Sequence, residues 1–366
     1  MGSKCLMPQD IFPMTPDLFL RVIDGRLVLW NYITHEQFEI DHAHLQALIA
    51  LSKGDTLPIG AIEKELRNTG CIDHIESKTW GWDCLARIFH FGTQIRLAPG
   101  ESLPENDHTE GYLSYCSSIA ANAPQLATEL PGQTRALPIP DWKDLQEMSL
   151  ANALKNRKTC REFYKREISI SQLSTALWAT FGAIHGVNEM EYKEAGLETM
   201  GFRRSSPSGG SLQPSEPYLI AMNVKELESG VYHYRSHSHE LSLISDSFDP
   251  ESLGGLLCGQ YCASELAYGV FVTSRFDKLW WKYPHSRSYR VALIDIGCLV
   301  QTFQLVCCSQ QLKSWITGYF FDCEINKILG LNQDRESVMF FLGAGHGAGS
   351  IGWDARRAAV QMGRSL

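Results

Sequence analysis

The stretch Arg203–Ala221 reads RRSSPSGGSLQPSEPYLIA and joins a loop rich in glycine, serine and proline to an apolar run. The small residues and prolines predict a loop over 203–214, and Tyr218–Val224 predicts the strand that follows it. Glycine lets a backbone approach a flat ring closely, while serine hydroxyls and backbone amides supply hydrogen-bond donors. We therefore interpret the loop as a binding loop for a planar ligand, although a flexible linker has a similar composition.

Strands and helices alternate on both sides of this loop. Val231–Tyr234 and Leu241–Ile244 predict strands that pair across a polar turn, and further short strands are predicted at Phe271–Thr273 and Val338–Leu342. The predicted helices are Ser149–Asn156, Ser171–Phe181 with Ser169 or Ser171 as its N-cap, and the apolar Val291–Cys308. Because the strands pair antiparallel between helices, the predicted class is α+β and not doubly wound α/β.

A cationic cluster lies ahead of the loop, where Arg157–Phe163 reads RKTCREF. Arg157, Lys158 and Arg161 alone would be typical of a solvated helix end. Two guanidinium groups four residues apart can also bind one phosphate from two sides, since arginine binds phosphate oxygens bidentately. The cluster is a candidate phosphate site.

Glycines alternate near the C-terminal end of the sequence, in Phe340–Ser350, which reads FFLGAGHGAGS. The spacing is not the dinucleotide-binding fingerprint, and no helix of the right length leads from it to an acidic residue. We therefore reject a Rossmann fold. The pattern predicts a glycine-rich turn whose N–H groups, at Gly343 and Gly345, form an anion nest.

The segment Trp280–Arg290 reads WWKYPHSRSYR and precedes the apolar helix. In a pocket, Lys282 and Tyr283 would form a proton-transfer pair. We expect burial and the neighbouring Arg287 or Arg290 to lower the pKa of Lys282 toward neutrality. Aromatic and basic residues also interleave in surfaces that stack single-stranded nucleic acid, but the acidic balance of the chain disfavours this alternative.

The N-terminal part has a different pattern. Phe19–Tyr32 predicts a β-hairpin around Asp24-Gly25, and His42–Leu51, Ile59–Arg67 and Trp82–Phe91 predict helices. A hairpin with three helices resembles a winged-helix module, so we predict a winged-helix-like domain over 1–98. Prolines and glycines then predict a linker or a lid over 99–140, and a third domain fills 141–366.

Composition excludes several classes of protein. The 366 residues are 44% hydrophobic and 20% charged, a globular balance, and the net charge of -8 argues against a nucleic-acid partner. The 11 cysteines are scattered without a C-x-x-C pair, which favours reduced thiols in a cytoplasmic protein.

Asp295, Gln301 and Gln304 interrupt the apolar run Val291–Cys308, which favours a buried helix over a membrane span. His233, His237 and His239 are expected at the surface and not at a metal site.

In this order, the cationic cluster, the glycine-serine loop, the Lys-Tyr segment and the C-terminal glycines resemble one family. The chain is similar to the SagB-type dehydrogenases, which belong to the nitroreductase-like flavoproteins. The resemblance covers about Ala151–Gly347 and includes the strand at Gly230–Tyr234, GVYHY. One departure is Gly297-Cys298, where members commonly have Gly-His, so the substrate or mechanism here is expected to differ if that histidine takes part.

The resemblance implies an FMN-dependent homodimer of the nitroreductase-like fold, with the flavin at the subunit interface. It implies that Lys282 and Tyr283 are catalytic and assist deprotonation of an azoline ring. The residues expected to bind FMN are Arg157, Lys158, Arg161, Pro207, Ser208, Gly209, Gly210, Arg290, Gly343 and Gly345.

The leading functional hypothesis is azoline-to-azole oxidation in a ribosomally made precursor peptide, with other peptide-modifying enzymes as further partners. Three alternatives stay open. The first is oxidation or oxygenation of another peptide group, such as an aromatic or C-terminal residue. The second is NAD(P)H-dependent reduction of a nitro compound or quinone, and the third is a non-catalytic flavoprotein subunit.

Overall fold

The computed structural model describes residues 18–53, 55, 60–68, 80–95, 108–125, 127–185 and 202–348. The chain divides into two compact units, Met1–Gly100 and Glu101–Leu366. The first 17 residues of the first predicted domain, the start of the predicted linker at 99–107 and the last part of the third domain after 348 lie outside the described residues. The predicted domain boundaries stay predictions.

The first unit contains a three-stranded antiparallel sheet followed by helices. Its elements are β1 (Leu18–Ile23), β2 (Arg26–Asn31), β3 (Glu36–Ile40), α1 (His42–Ser52), α2 (Ala61–Asn68) and α3 (Cys84–Gly92). The predicted hairpin and helices are confirmed, and Asp24 and Gly25 have the positive φ angles, 49° and 78°, of a tight hairpin turn. The strand β3 was not predicted, because its charged residues hide the alternation. The winged-helix-like interpretation stays a prediction.

The second unit is built on an eight-stranded sheet. Its strands are β4 (Thr134–Ala136), β5 (Phe163–Tyr164), β6 (Ser215–Ala221), β7 (Gly230–Arg235), β8 (Glu240–Ser245), β9 (Tyr268–Arg275), β10 (Lys313–Thr317) and β11 (Glu336–Gly347). Its helices are α4 (His108–Ile119), α5 (Lys143–Glu147), α6 (Leu150–Asn156), α7 (Ile170–Phe181), α8 (Leu253–Leu256), α9 (Phe276–Lys282), α10 (Ser288–Ser309) and α11 (Asp322–Ile328).

The strand order is β10-β11-β9-β6-β7-β8-β4, with β5 attached to β11, and the strands pair antiparallel. This confirms the predicted α+β class. The central strand β6 is buried along its whole length, which explains why its second half, Tyr218–Ala221, is apolar without alternation. Part of the predicted linker belongs to the sheet, since β4 pairs with β8.

The helices α7 and α10 pack against one face of the sheet. Ser169 caps α7 through a capping box with Gln172, which decides between the two predicted N-caps. Within the described residues, α10 is the one helix long and apolar enough to cross a membrane, with a mean hydropathy of 1.9. Its inner residues, including Ile296 and Phe303, lie in the main hydrophobic core, as predicted for a buried helix.

Candidate functional site

A buried arginine holds the start of the glycine-serine loop. The guanidinium of Arg204 donates hydrogen bonds to the carbonyl oxygens of Phe181 and Ser215, both at 2.8 Å, and to the hydroxyl of Ser236 at 2.9 Å. Burial lowers the pKa of Arg204 to about 10, so the side chain stays charged at neutral pH. Arg204 therefore ties the loop to the end of α7 and the start of β6.

The helix α10 presents a buried carboxylate to the centre of the loop. Asp295 accepts hydrogen bonds from the hydroxyl of Ser208 at 2.7 Å and from the backbone N–H of Gly209 at 3.1 Å. Burial raises the pKa of Asp295, and these hydrogen bonds oppose the rise. In the sequence, Asp295 is only a polar interruption of an apolar run. It was therefore not predicted as a site residue, although a lone acid in a buried helix was a signal that could have identified it.

Two glycines bring the loop close to its neighbours. A Cβ atom on Gly209 would lie 2.3 Å from Cγ1 of Val291, and one on Gly210 would lie 2.3 Å from the hydroxyl of Tyr283. Gly210 also has a positive φ of 59°, as does Ser211 at 58°. Non-glycine residues rarely adopt this conformation, and it concentrates at functional sites. Glycine is therefore required at both positions by the chain itself.

The predicted Lys-Tyr pair meets the loop at Gly210. Lys282 ends α9 and is 1% exposed, and its Nζ donates a hydrogen bond to the carbonyl oxygen of Gly210 at 3.0 Å. Burial lowers the pKa of Lys282, and the nearby Cys116 opposes this effect. The expected contribution of Arg287 or Arg290 was wrong, because burial alone accounts for the lowering among the described residues.

A separate cavity of about 460 Å³ is lined by three cationic side chains, those of Arg157, Lys158 and Lys313. The arginine and lysine after α6 reach β10 because Cys160 donates its backbone N–H to the carbonyl oxygen of Ser314 at 3.0 Å. The other lining residues are Met148, Asn156, Cys308, Gln311, Leu312, Ser314 and Ala348. This set of donors suits a phosphate group.

Lys313 was not predicted as a site residue, because it is an isolated lysine more than 150 residues from the cationic cluster. Only the pairing of Thr159 with Ser314 brings the two together. Among the described residues, none that lines the basic cavity belongs to the glycine-serine loop or to the Lys-Tyr pair. Within one copy of the chain, the residues predicted to bind the phosphate and those predicted to bind the ring thus belong to different sites.

The fold and these two groups of residues agree with the match to a known family. The Nitroreductase family model matches residues 154–346, which is more than half of the chain. The chain belongs to the nitroreductase family. The match includes the cationic cluster, the glycine-serine loop and Lys282-Tyr283, and it ends within the C-terminal glycines.

Relatives of this nitroreductase-family chain include a peptide-processing protein. A nitroreductase-type protein of Methanocaldococcus jannaschii is 25% identical over 202 residues, 55% of this chain and 93% of the relative. The microcin B17-processing protein McbC of Escherichia coli is 30% identical over 137 residues, 36% of this chain but only 50% of McbC. The predicted resemblance to SagB-type members of the family is confirmed.

A nitroreductase crystal structure from Anabaena variabilis has the same fold. It superposes with a TM-score of 0.51 at 22% identity, over 75% of this chain and 49% of that one. At this level of identity, the likeness concerns the fold alone.

The predicted glycine-rich turn was wrong. Gly343 and Gly345 lie inside β11, where they pair with Trp315 and Lys313 of β10. A Cβ atom would lie 2.5 Å from Leu266 at Gly343 and 2.8 Å from the backbone nitrogen of Ala267 at Gly345. Close packing under the strand explains both glycines, because a side chain there would collide with the segment before β9.

The remaining predicted site residues are distributed over the surface and the first turn of α10. Pro207 and Arg161 are exposed, and Arg290 is partly buried near the start of the helix. Cys298 lies one turn after Asp295 and is partly buried, and its carbonyl oxygen accepts hydrogen bonds from Ser206 and Thr302. Their roles in binding stay predictions.

The prediction of surface histidines was wrong for His233, which is completely buried. Its Nε2 lies 3.3 Å from a carboxylate oxygen of Glu216. The strand β7 lies between β6 and β8 and is covered on both faces, so alternation does not direct this side chain to solvent. The described residues contain no group of three or more His, Cys, Asp or Glu side chains that could hold a metal ion.

Proposed function

We propose that this chain is an FMN-dependent oxidoreductase that converts an azoline ring to an azole in a ribosomally made precursor peptide. The observation that carries the proposal is Lys282, a buried lysine with a lowered pKa whose Nζ is held at the glycine-serine loop beside Tyr283. Azoline oxidation requires a base for a carbon-bound proton. Family membership supports redox chemistry, and the similarity to McbC supports a peptide substrate.

Two parts of the chain fit FMN. Arg157, Lys158 and Lys313 line a polar cavity whose donors suit the phosphate. The loop Pro207–Gly210 suits the ring, because its glycine backbone permits close approach. Arg161 and Arg290 stay proposed contacts, whereas Gly343 and Gly345 are left out because they lie inside β11 and not in a binding turn. When bound, FMN supplies the two-electron acceptor that this oxidation requires.

Lys282 acts as the base in its neutral form. Because burial lowers its pKa, a larger neutral fraction is present at a given pH than for an exposed lysine. The carbonyl of Gly210 fixes the position of the amine, and the hydroxyl of Tyr283 lies at the same point of the loop. The ring proton passes to Nζ of Lys282, while the Tyr283 hydroxyl donates a hydrogen bond to the ring heteroatom that gains charge.

An exposed stripe on α10 supports a homodimer. Tyr289, Leu293, Gly297 and Gln301 are exposed at four-residue spacing, next to Ile294. Leu293 is 45% and Ile294 is 64% exposed, and a Cβ on Gly297 would meet no atom within 4 Å. Apolar residues grouped in this way are typical of a partner surface. A dimer also allows the basic cavity and the loop, which are separate in one copy, to meet across two copies.

We expect Ile294→Asp to weaken the dimer by at least roughly 30-fold, the effect of a buried hot-spot residue. A carboxylate would be buried there without a partner. Sedimentation equilibrium measures the dissociation constant, and Ile139→Asp is the control because Ile139 is 91% exposed and lies outside α10. An unchanged dimer in Ile294→Asp would exclude this helix from the interface.

We expect Arg157→Ala and Lys313→Ala each to raise the Kd for FMN by roughly 10- to 100-fold, since each removes a hydrogen bond from a charged donor. Quenching of FMN fluorescence on binding measures the constant. Lys155→Ala is the control, because Lys155 is an exposed cation in the last turn of α6, two residues before Arg157, and does not line the cavity. A colourless protein that takes up no FMN would contradict the cofactor assignment.

The second candidate function is NAD(P)H-dependent reduction of a nitro compound or quinone. It is favoured by the match to nearly the whole length of the archaeal nitroreductase-type relative. The FMN-loaded protein is mixed anaerobically with a synthetic peptide that carries one thiazoline, and separately with NADPH. Bleaching of the flavin with a thiazole product, at 2 Da less in mass, supports the proposal. Bleaching by NADPH alone selects the reductase.

Two further outcomes separate the remaining alternatives. When the FMN-loaded protein, the peptide and NADPH are mixed in air, which supplies the oxygen, a product heavier by one oxygen atom would indicate oxygenation of another peptide group. Tight binding of a precursor peptide, with no bleaching by any peptide or by NADPH, would indicate a non-catalytic flavoprotein subunit.

A further inference from the structure

The helix α4 (His108–Ile119) lies well before the family match, which begins at residue 154, yet it contacts the Lys-Tyr pair. The hydroxyl of Tyr115 donates a hydrogen bond to the carbonyl oxygen of Lys282 at 3.0 Å. The indole N–H of Trp281 donates to the carbonyl oxygen of Ile119 at 3.1 Å. The helix is therefore fastened to the chain at Lys282 and at the residue before it.

One face of α4 is directed at the side chains of the pair. The ring centroid of Tyr112 lies 5.8 Å from Nζ of Lys282, and the ring of Tyr283 lies 6.0 Å from the same atom. Both rings thus lie about 6 Å from the same amine, and interaction with the Tyr283 side chain adds to burial in raising the pKa of Tyr112. Tyr112, Tyr115, Cys116 and Ile119 share one face, since they are spaced by three and four residues.

Among the described residues, aromatic rings, a thiol and a backbone carbonyl lie near the Lys282 ammonium. The groups on the facing elements are Tyr112 and the buried Cys116 from α4, Tyr283, and the carbonyl oxygen of Gly210 from the loop. Burial raises the pKa of Tyr112, as do the hydrogen bonds to Tyr283 and Cys116, so its hydroxyl stays protonated and able to donate. An aromatic face attracts a cation, so it favours the charged form of the lysine.

We propose that Tyr112 is a positioning residue of the site, which orients the Tyr283 phenol through its hydroxyl and holds the Lys282 amine against its ring. This inference rests on the proposed function and extends the site beyond the residues matched by the family. The side chain of Tyr112 has two roles. The hydroxyl acts on the orientation of Tyr283, and the ring acts on the protonation of Lys282.

Three substitutions in the full-length, FMN-loaded protein test these roles. Tyr112→Phe removes the hydroxyl and keeps the ring, and Tyr112→Leu removes both while keeping the position apolar. Ser117→Ala is the matched control, because it removes an exposed hydroxyl from the same helix and leaves the hydrogen bond of Tyr115 to Lys282 in place.

We expect Tyr112→Phe to lower kcat for thiazoline oxidation by about 3- to 10-fold, the effect of one neutral hydrogen bond, with unchanged KM and FMN affinity. We expect Tyr112→Leu to lower the pKa of Lys282 in addition, by about half a pH unit, because the ring no longer stabilises the ammonium. Tyr112→Phe should leave that pKa unchanged. Ser117→Ala should change neither quantity.

Two independent measurements separate the inference from the proposed function. The pKa of Lys282 is followed by NMR in protein labelled with ¹³C at lysine Cε, with Lys282→Arg for assignment, and requires no peptide. A shift in Tyr112→Leu but not in Tyr112→Phe supports the positioning role of the ring even if no thiazoline peptide is oxidised. Equal pKa values of Lys282 in all variants, or a kcat in Tyr112→Phe no lower than in Ser117→Ala, would overturn it.

Discussion

Replacing Lys282 by alanine is expected to lower kcat for peptide oxidation by roughly 10²- to 10⁴-fold, the usual contribution of a general base. In free energy, this corresponds to about 3–5 kcal/mol of transition-state stabilisation. The buried amine donates a hydrogen bond to the carbonyl oxygen of Gly210 at 3.0 Å. FMN binding should be retained, since Lys282 does not line the basic cavity. Stopped-flow absorbance under single-turnover conditions measures the rate.

The pH dependence follows from the direction of the pKa shift. Burial lowers the pKa of Lys282 below the ordinary 10.5, so kcat/KM should rise with pH and level off below that value. The rise should be absent in Lys282→Ala.

Lys282→Arg distinguishes a base from a structural cation. Arginine keeps a positive charge and a donor for Gly210 but does not lose its proton, so it should be as inactive as alanine. Lys225→Ala, which changes an exposed lysine, is the control for nonspecific effects. Full activity in Lys282→Ala would remove this residue from the mechanism, and recovery of activity by arginine would leave it only a structural role.

Replacing Glu216 by glutamine is expected to destabilise the second unit by about 3–5 kcal/mol, the cost of removing one partner from a buried ion pair. Glu216 is 3% exposed, and its Oε1 lies 2.9 Å from Nζ of Lys278, which is completely buried. Thr128 donates to the same carboxylate at 2.6 Å, and His233 lies beside it. A neutral amide would leave the Lys278 ammonium buried without a counter-charge.

This effect reaches the candidate site, because Nζ of Lys278 also donates to the carbonyl oxygen of Gln213 in the glycine-serine loop at 3.3 Å. A loss of this size is a large part of the 5–15 kcal/mol that typically stabilises a protein. Urea denaturation followed by circular dichroism measures it. Glu251→Gln, which breaks an exposed pair with Lys165, should have much less effect.

The acid dependence gives an independent check. Although burial opposes it, the charge of Lys278 and the hydrogen bond with His233 lower the pKa of Glu216 below its ordinary 4.5. A depressed carboxylate pKa stabilises the folded state fully above that ordinary value, and this stability is lost as the pH falls below it. Stability of the wild type should therefore fall more steeply than that of Glu216→Gln between about pH 5 and pH 2. If the stability of the wild type and of Glu216→Gln fell equally with falling pH, the lowered pKa of Glu216 would be contradicted.

A double replacement, Glu216→Gln with Lys278→Met, should recover much of the loss, because it removes the unpaired charge as well. If Glu216→Gln alone were as stable as the wild type, the ion pair of Glu216 with Lys278 would not contribute to the stability of the second unit.

Local patterns identified much of the fold. The helices α6, α7 and α10 were predicted from apolar periodicity and N-caps, and the strands β6 to β8 from apolar runs separated by turn residues. These signals lie within a few residues of each other, so they do not depend on the rest of the chain. Short elements with few apolar positions, such as β4 and β10, were not predicted because their burial depends on neighbouring strands.

The candidate site was predicted in part for the same reason. The glycine-serine loop and Lys282-Tyr283 are contiguous motifs, and the structure brings them together at Gly210. The glycines of β11 misled the analysis, since glycine is compatible with both a turn and a tightly packed strand. The residues next to Asp295, Lys313 and Tyr112 in the sequence form no motif, and the partners of these three side chains lie far away in the chain. They were therefore not predicted.

The amino-acid sequence by itself determined the α+β class, the family, the loop and the Lys-Tyr pair, because composition and short spacing encode them. Only the tertiary structure decided that Lys313 joins the cationic cluster, that Asp295 holds the loop and that α4 covers Lys282. These contacts follow from strand pairing and helix packing between distant segments, which depend on the whole core and leave no periodic signal in the chain.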